Sequence, residues 1–205
     1  MNILLGCEYT GIGQTAFKAA GHNAWSCDLD PTEGNPEKHW RGDIFECLEE
    51  TKDWGWDLII LHPDCTRMAV CGNRHHAGTS GRDEAVGWTL RLYKKAKECA
   101  KRVCLENPTS VVFSYIKAEV QYVQPWQFGH PETKNTGLAL HNLPPLVGTE
   151  NVYDHMMTLP KKDRHKVWYA SPSERRGKDR SRSYPGIINA MVAQWTPAQT
   201  GQTGE

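Results

Sequence analysis

Two reactive side chains stand where two strands should end. Asp57-Leu58-Ile59-Ile60-Leu61 is an apolar run that stops at His62-Pro63-Asp64-Cys65, and a second run further on stops at Glu106-Asn107-Pro108. In an open α/β sheet, ligands bind at the carboxyl ends of the strands. A thiol and a carboxylic acid facing one pocket suit the activation of a pyrimidine ring. The thiolate adds to ring carbon 6, the acid protonates or hydrogen-bonds ring nitrogen 3, and carbon 5 becomes nucleophilic. Taken singly, Cys65 reads as a buried structural cysteine; Glu106 has an alternative as an acid at a helix N-terminus, but Asn107-Pro108 fixes its turn and favours catalysis. Their matching positions after two strands favour chemistry.

The elements around this pair alternate. Asn2 to Gly6 reads as a short buried strand. Gly11, Gly13 and the spacing of Ile12, Ala16, Phe17 and Ala20 read as a turn into a helix stopped by Gly21. Ala24 to Cys27 is a second strand, ending in Asp28-Leu29-Asp30-Pro31. After the strand from Asp57, a polar loop is expected over Gly72 to Arg82, then a helix from Asp83 or Glu84 to about Lys101 with Ala85, Trp88, Leu92 and Ala96 on one face. Arg102 to Leu105 is the next strand. This alternation predicts an α/β fold with a mostly parallel central sheet and helices on both faces. Beyond Pro125 the pattern loosens until Ile187, Ile188, Met191, Val192 and Trp195 mark a last helix. Thr196 to Glu205 reads as a disordered tail.

The 205 residues suit one domain with a full core. Lys and Arg number 24, as do Asp and Glu, so the molecule as a whole does not attract nucleic acid. Charge is unevenly spread, however. Residues 28 to 57 lean acidic, while Lys161, Lys162, Arg164, Lys166, Arg175, Arg176, Lys178, Arg180 and Arg182 form a basic tract. Such a tract suits either a phosphate backbone or a solvated loop. Seven cysteines with no signal peptide ahead of them point to reduced thiols and a cytoplasmic protein. No apolar stretch is long enough to span a membrane. His62, Cys65, Cys71, His75 and His76 lack the tight Cys-x2-Cys spacing of a zinc knuckle, so no metal is expected.

Glycines after the first strand allow close backbone approach to a ligand, and an acid closing the second strand can accept ribose hydroxyls. Gly6, Gly11 and Gly13 are spaced Gly-x4-Gly-x-Gly, which is not the dinucleotide fingerprint. A nucleoside without phosphates, such as S-adenosyl-L-methionine, suits this better than a pyrophosphate. Tight turns alone also explain such glycines.

Taken in order, these segments resemble the motifs of the DNA cytosine-C5 methyltransferases. Tyr9-Thr10-Gly11-Ile12-Gly13 resembles the family's opening Phe-x-Gly-x-Gly, and Asp28-Leu29-Asp30-Pro31 its ribose-holding acid with an apolar residue behind the adenine. Gly42-Asp43-Ile44 resembles the Gly-Asp at the adenine amino group. Pro63-Asp64-Cys65-Thr66, followed by Gly72 and Arg74, resembles Pro-Pro-Cys-Gln and its Gly-x-Arg. Glu106-Asn107-Pro108 is similar to Glu-Asn-Val, and Phe128 to Thr136 to Gly-x-Pro-Gln-x-Arg-x-Arg. Ser183-Tyr184-Pro185-Gly186 and the last helix resemble the closing motif.

The resemblance implies a Rossmann-like methyltransferase fold over 1–195, with 137–182 as a short basic insertion in place of a recognition domain. It implies Cys65, Glu106, Asn107, Arg74 and Lys134 as catalytic. Tyr9, Thr10, Gly11, Ile12, Gly13, Asp28, Leu29, Asp43, Ile44 and Pro63 would hold S-adenosyl-L-methionine. The substrate would be DNA, in a cytoplasm that is the host's if a phage encodes the chain. In departure from the pattern, Asp64 replaces a proline, and its charge raises the Cys65 pKa unless Arg67 or Arg74 offsets it. Lys134 and Thr136 replace two arginines. Three readings therefore stand: a DNA cytosine-C5 methyltransferase; the same chemistry on RNA, single-stranded DNA or a free pyrimidine nucleotide; and a binding protein without catalysis.

Overall fold

The computed structural model describes residues 1–169 and 176–197. Five parallel strands, β1 (Asn2–Gly6), β2 (Asn23–Asp28), β3 (His39–Arg41), β4 (Trp56–Leu61) and β5 (Ala100–Pro108), form most of one sheet. Two antiparallel strands, β6 (Glu119–Val123) and β7 (Thr136–His141), complete it in the order β3-β2-β1-β4-β5-β7-β6. The expected α/β fold with a mostly parallel sheet is present.

Why the central strands are apolar throughout follows from burial on both faces. Successive side chains point to opposite sides of a strand. Leu4, Ile59, Leu61, Val103 and Leu105 therefore pack in the cluster beneath helices α2 (Ile44–Glu50) and α4 (Ser80–Cys99). Ile3, Leu5, Leu58, Ile60 and Cys104 pack on the other face, against α1 (Ile12–Ala19) and the last helix, α9 (Pro185–Trp195). Each such aliphatic side chain, taken fully from water, contributes about 1.5–3 kcal/mol. This double-sided core fixes the ends of β4 and β5, from which Cys65 and Glu106 are presented.

Several boundaries differ from those expected. Helix α4 begins at Ser80 because Thr79 caps it, its hydroxyl accepting from the Arg82 N–H at 3.4 Å. It ends at Cys99, so Lys101 lies in β5. Part of the expected loop over Gly72 to Arg82 is a short helix, α3 (Asn73–His76). The segment 137–182 is no simple insertion, since 137–141 belong to β7, beside β5 in the sheet. Mid-strand Gly137 obscures that strand in the sequence: a Cβ there would come within 2.4 Å of the Phe113 ring. Four short helices follow: α5 (Tyr153–Thr158), α6 (Lys161–Arg164), α7 (Lys166–Tyr169) and α8 (Arg176–Ser181). Arg175 and residues 198–205, which hold most of the expected tail, lie outside the described residues.

Candidate active site

Parallel pairing sets Leu61 opposite Leu105, so the chain beyond β4 and the last residues of β5 emerge side by side. Glu106 is a residue of β5 whose side chain is 14% exposed. Its Oε2 lies 3.0 Å from Nδ1 of His62, the first residue beyond β4. Burial pushes the Glu106 pKa up, but the hydrogen bond and charge of His62, with the charge of Lys134, bring it below the ordinary value. Glu106 is therefore a carboxylate at neutral pH, an acceptor for donors on a ring.

Cys65 sits on the turn that follows. Its carbonyl accepts from the N–H groups of Met68 at 3.0 Å and Ala69 at 2.8 Å. The neighbouring Asp64 folds back so that Oδ1 accepts from the Thr66 N–H at 3.0 Å and hydroxyl at 2.6 Å. The whole turn is tied to β5 by Asn107, whose Nδ2 donates to the Pro63 carbonyl at 3.0 Å. Asn107 is buried and positions the thiol loop. The Cys65 thiol is pushed up to about 11, first by burial, then by the charges of Asp64 and Glu106, with Lys134 pulling the other way. The offset to Asp64 thus comes from Lys134 and not from Arg67 or Arg74. Arg74 is exposed on α3, outside the lining of the Glu106 cavity.

That cavity is lined by His62, Glu106, Lys134, Thr136, Ser183, Tyr184, Ile187, Ile188 and Met191 and has a volume of only about 10 Å³. Such a space is on the order of one water molecule, too small for a pyrimidine. Its wall is held by Lys134, whose Nζ donates to the Arg182 carbonyl at 3.1 Å and lies 5.6 Å from the centre of the Tyr184 ring. As it stands, the cavity does not admit a base beside Glu106. Cys65 is absent from the lining, although its field of charges is shared with Glu106 and Lys134. Sequence reasoning assigns no catalytic role to His62, Ser183 or Tyr184. The signal for His62 is its place directly after an apolar strand, opposite the strand that carries Glu106.

On the cofactor side, the chain leaves β1 through Cys7, a non-glycine residue at φ +57°, an uncommon and strained conformation at a candidate site. Glu8 then braces the turn: its Oε1 accepts from the Ile12 N–H at 3.1 Å and from the Thr10 hydroxyl. Gly11 takes φ +69° with its Cα against Gly34, so a Cβ there would fall 2.4 Å from the Gly34 Cα. Burial, then the charges of Asp28, Asp43 and Asp64, push the Cys7 thiol up to about 12. Three carboxylates thus bear on the crossing between β1 and its neighbours, which suits a cationic ligand and opposes phosphates.

The expected cofactor residues divide accordingly. Thr10, Gly11 and Ile12 line a groove of about 410 Å³ with Thr15, Glu33, Pro185 and Asn189. Leu29 is 73% exposed, an apolar side chain with one face free. Asp28 is half-buried, its pKa raised mainly by burial, and its Oδ1 accepts from the Asp30 N–H at 2.9 Å. Asp43 uses Oδ1 as the cap of α2, accepting from Phe45 at 2.7 Å and Glu46 at 3.3 Å. Ile44, expected at the cofactor, is 4% exposed and packs in the core. Gly13 is buried where a Cβ would meet Leu5 at 3.0 Å, so it serves the packing of helix on strand. Pro63 is buried, and Tyr9 accepts from the Glu33 N–H through its carbonyl at 2.8 Å. Asp28, Leu29, Asp43 and Pro63 are not part of the groove lining.

No protein-family model matches this sequence, and no curated protein matches it. Solved structures do match. An Entamoeba histolytica methyltransferase, EhMeth, aligns with a TM-score of 0.54 at 12% identity, over 74% of this chain and 57% of that one. The S. pombe Dnmt2 methyltransferase aligns at 0.48 and 16%, over 85% and 62%. A protein of an E. coli prophage, named as a DNA modification methyltransferase, aligns at 0.48 and 13%, over 78% and 56%. This chain therefore spans between 56% and 62% of the length of these structures. At such identities the likeness concerns the fold, and the EhMeth alignment is the one close enough to carry it. Together with the strand order, it gives the chain the α/β fold of S-adenosylmethionine-dependent methyltransferases. Among the described residues no helix is long and apolar enough to cross a membrane.

Proposed function

We propose that this protein transfers a methyl group from S-adenosyl-L-methionine to carbon 5 of cytosine in DNA, through a covalent adduct of Cys65 at carbon 6. The observation that carries the proposal is the shared electrostatics of Cys65 and Glu106, beyond and at the end of the adjacent parallel strands β4 and β5, with Lys134 ahead of the antiparallel β7. Thr10, Gly11, Ile12, Asp28, Leu29 and Asp43 would hold the cofactor, and their carboxylates suit its positive charge. The cofactor supplies an electrophilic methyl carbon there.

The protein's own groups do the rest. Sulfur forms a bond to carbon 6 as the thiol sheds its proton, and the π pair of the 5,6 double bond shifts to carbon 5. Ring nitrogen 3 takes the proton that the thiol sheds, and the Glu106 carboxylate holds the resulting N–H. Carbon 5 takes the methyl group as the methyl–sulfonium bond breaks, then loses its proton to water as the sulfur leaves carbon 6 and recovers its proton from nitrogen 3. His62 positions the Glu106 carboxylate and keeps it ionised. Asn107 holds the Cys65 turn against β5. A buried base in a duplex would have to leave the stack to reach this depth.

The test is mass spectrometry of nucleosides from the DNA of cells expressing the protein. Wild type should yield 5-methylcytosine, and Cys65→Ala should yield none above background while still binding the cofactor. Equal yields from the two would remove Cys65 from the mechanism.

A further inference from the structure

We infer that the substrate strand is single-stranded DNA, gripped by an aromatic and basic surface on α5, α6 and α7. This rests on the reading of the site as one that modifies a base in DNA. Tyr153, Met157, Trp168 and Tyr169 are all exposed, Trp168 by 70%. Lys161 and Lys162 are exposed among them, and Lys166 is more than half exposed beside its ion pair with Glu132, at 3.7 Å. Between Tyr153 and Tyr169 four Lys and Arg face two acids, Asp154 and Asp163. Flat aromatic faces next to cations are the makings of a single-strand platform. Bases stack on the rings, whatever their sequence, and the cations follow the phosphates. Duplex DNA hides its base faces in the stack, so an exposed tryptophan stacks on it only at the cost of unstacking a base step.

Connection to the reacting pocket is direct. The Arg164 carbonyl accepts from the Thr133 N–H at 2.8 Å, and the Thr133 hydroxyl lies 2.7 Å from His165 Nδ1. The next residue, Lys134, lines the Glu106 cavity. At the other end, Tyr153 packs edge-on against Trp126, centroids 5.1 Å apart, and Arg164 reaches the Met157 sulfur at 3.2 Å. The α6–α7 junction is thus tied to the segment that supplies the pocket's cation, and α5 is joined to it through Arg164 and Met157. An unstacked strand would bring a cytosine that has already left a helix.

Affinity is the measurement, read by anisotropy of labelled oligonucleotides of about 20 nucleotides at about 0.15 M salt. The Cys65→Ala protein is used so that binding does not depend on methyl transfer. A single DNA strand should bind at least about tenfold more tightly than its duplex, and Trp168→Ala should weaken the single strand about tenfold while leaving the duplex nearly unchanged. Lys162→Ala should lower the salt slope for the single strand by about 0.7. Both substitutions are at exposed positions, and an unchanged melting temperature checks that they fold. Tighter binding of duplex or of RNA overturns the inference. So does an unchanged affinity in Trp168→Ala, or a Trp168→Ala protein whose sole defect is dissociation of a dimer. Strand binding without any 5-methylcytosine from wild type would sink the proposed chemistry alone. Undiminished methylation of a single DNA strand by Trp168→Ala would sink the surface alone.

Discussion

The two halves of the sheet are built differently, one braced by contacts within its own turns and the other assembled from residues brought from far along the chain. On the side of β1, β2 and β3, local turns fix each residue. Glu8 braces Thr10 and Ile12, Asp43 caps α2, and Gly11 fits flush against Gly34. On the side of β5 and β7, the pocket is assembled from residues far apart in the chain: His62, Glu106, Lys134 and Tyr184. Lys134 donates to the Arg182 carbonyl in its wall, and the same charge lowers the pKa of both Cys65 and Glu106. One lysine thus bears on the cavity wall and on both proposed reacting groups.

Breaking that link should have the larger effect. A thiol near pKa 11 is almost wholly protonated at neutral pH, so kcat/KM should rise about tenfold per pH unit across the neutral range. Removing the cation with Lys134→Met raises the thiol further. The whole profile should move to higher pH, and a move of about one pH unit would lower the rate at a fixed neutral pH about tenfold. Glu106 is already ionised there, so its titration adds no fall in activity. An unmoved profile would show that Lys134 does not govern Cys65.

The smaller effect is expected in the locally braced half. Gly11→Ala places a Cβ at a left-handed backbone position and against the Gly34 Cα. It should cost about 1–2 kcal/mol of stability, lowering the melting temperature by about 2–8 °C, and it should weaken cofactor binding with little change in the pH profile. A displaced profile in this variant would erase the contrast between the halves.

The same contrast explains what the sequence can show. Local signals are readable: the apolar run of β4 and its Pro-x-Cys ending, the glycine turn, the acid closing β2, and the last helix. Non-local assembly is not. Nothing in the spacing of Thr136 to His141 announces a strand beside β5, because Gly137 makes room for a ring that arrives from Phe113. The His62–Glu106 pair joins residues 44 apart. The motif around Asp43 and Ile44 points to ligand contacts, but helix capping and core packing claim the Asp43 Oδ1 and the Ile44 side chain. Sequence proximity points to Arg74 as the counter-charge for Cys65, and a lysine sixty residues further on supplies it instead.

Mechanism-based trapping reaches the central pairing most directly. A DNA strand carrying 5-fluorocytosine should, with S-adenosyl-L-methionine present, form a stable complex with the protein, because fluorine cannot leave carbon 5 as a proton does. Intact mass should rise by one strand plus one methyl group, and peptide mapping should place the link on Cys65, with no complex in Cys65→Ala. A link at any other residue, or no link at all under conditions where the strand is bound, would contradict the account.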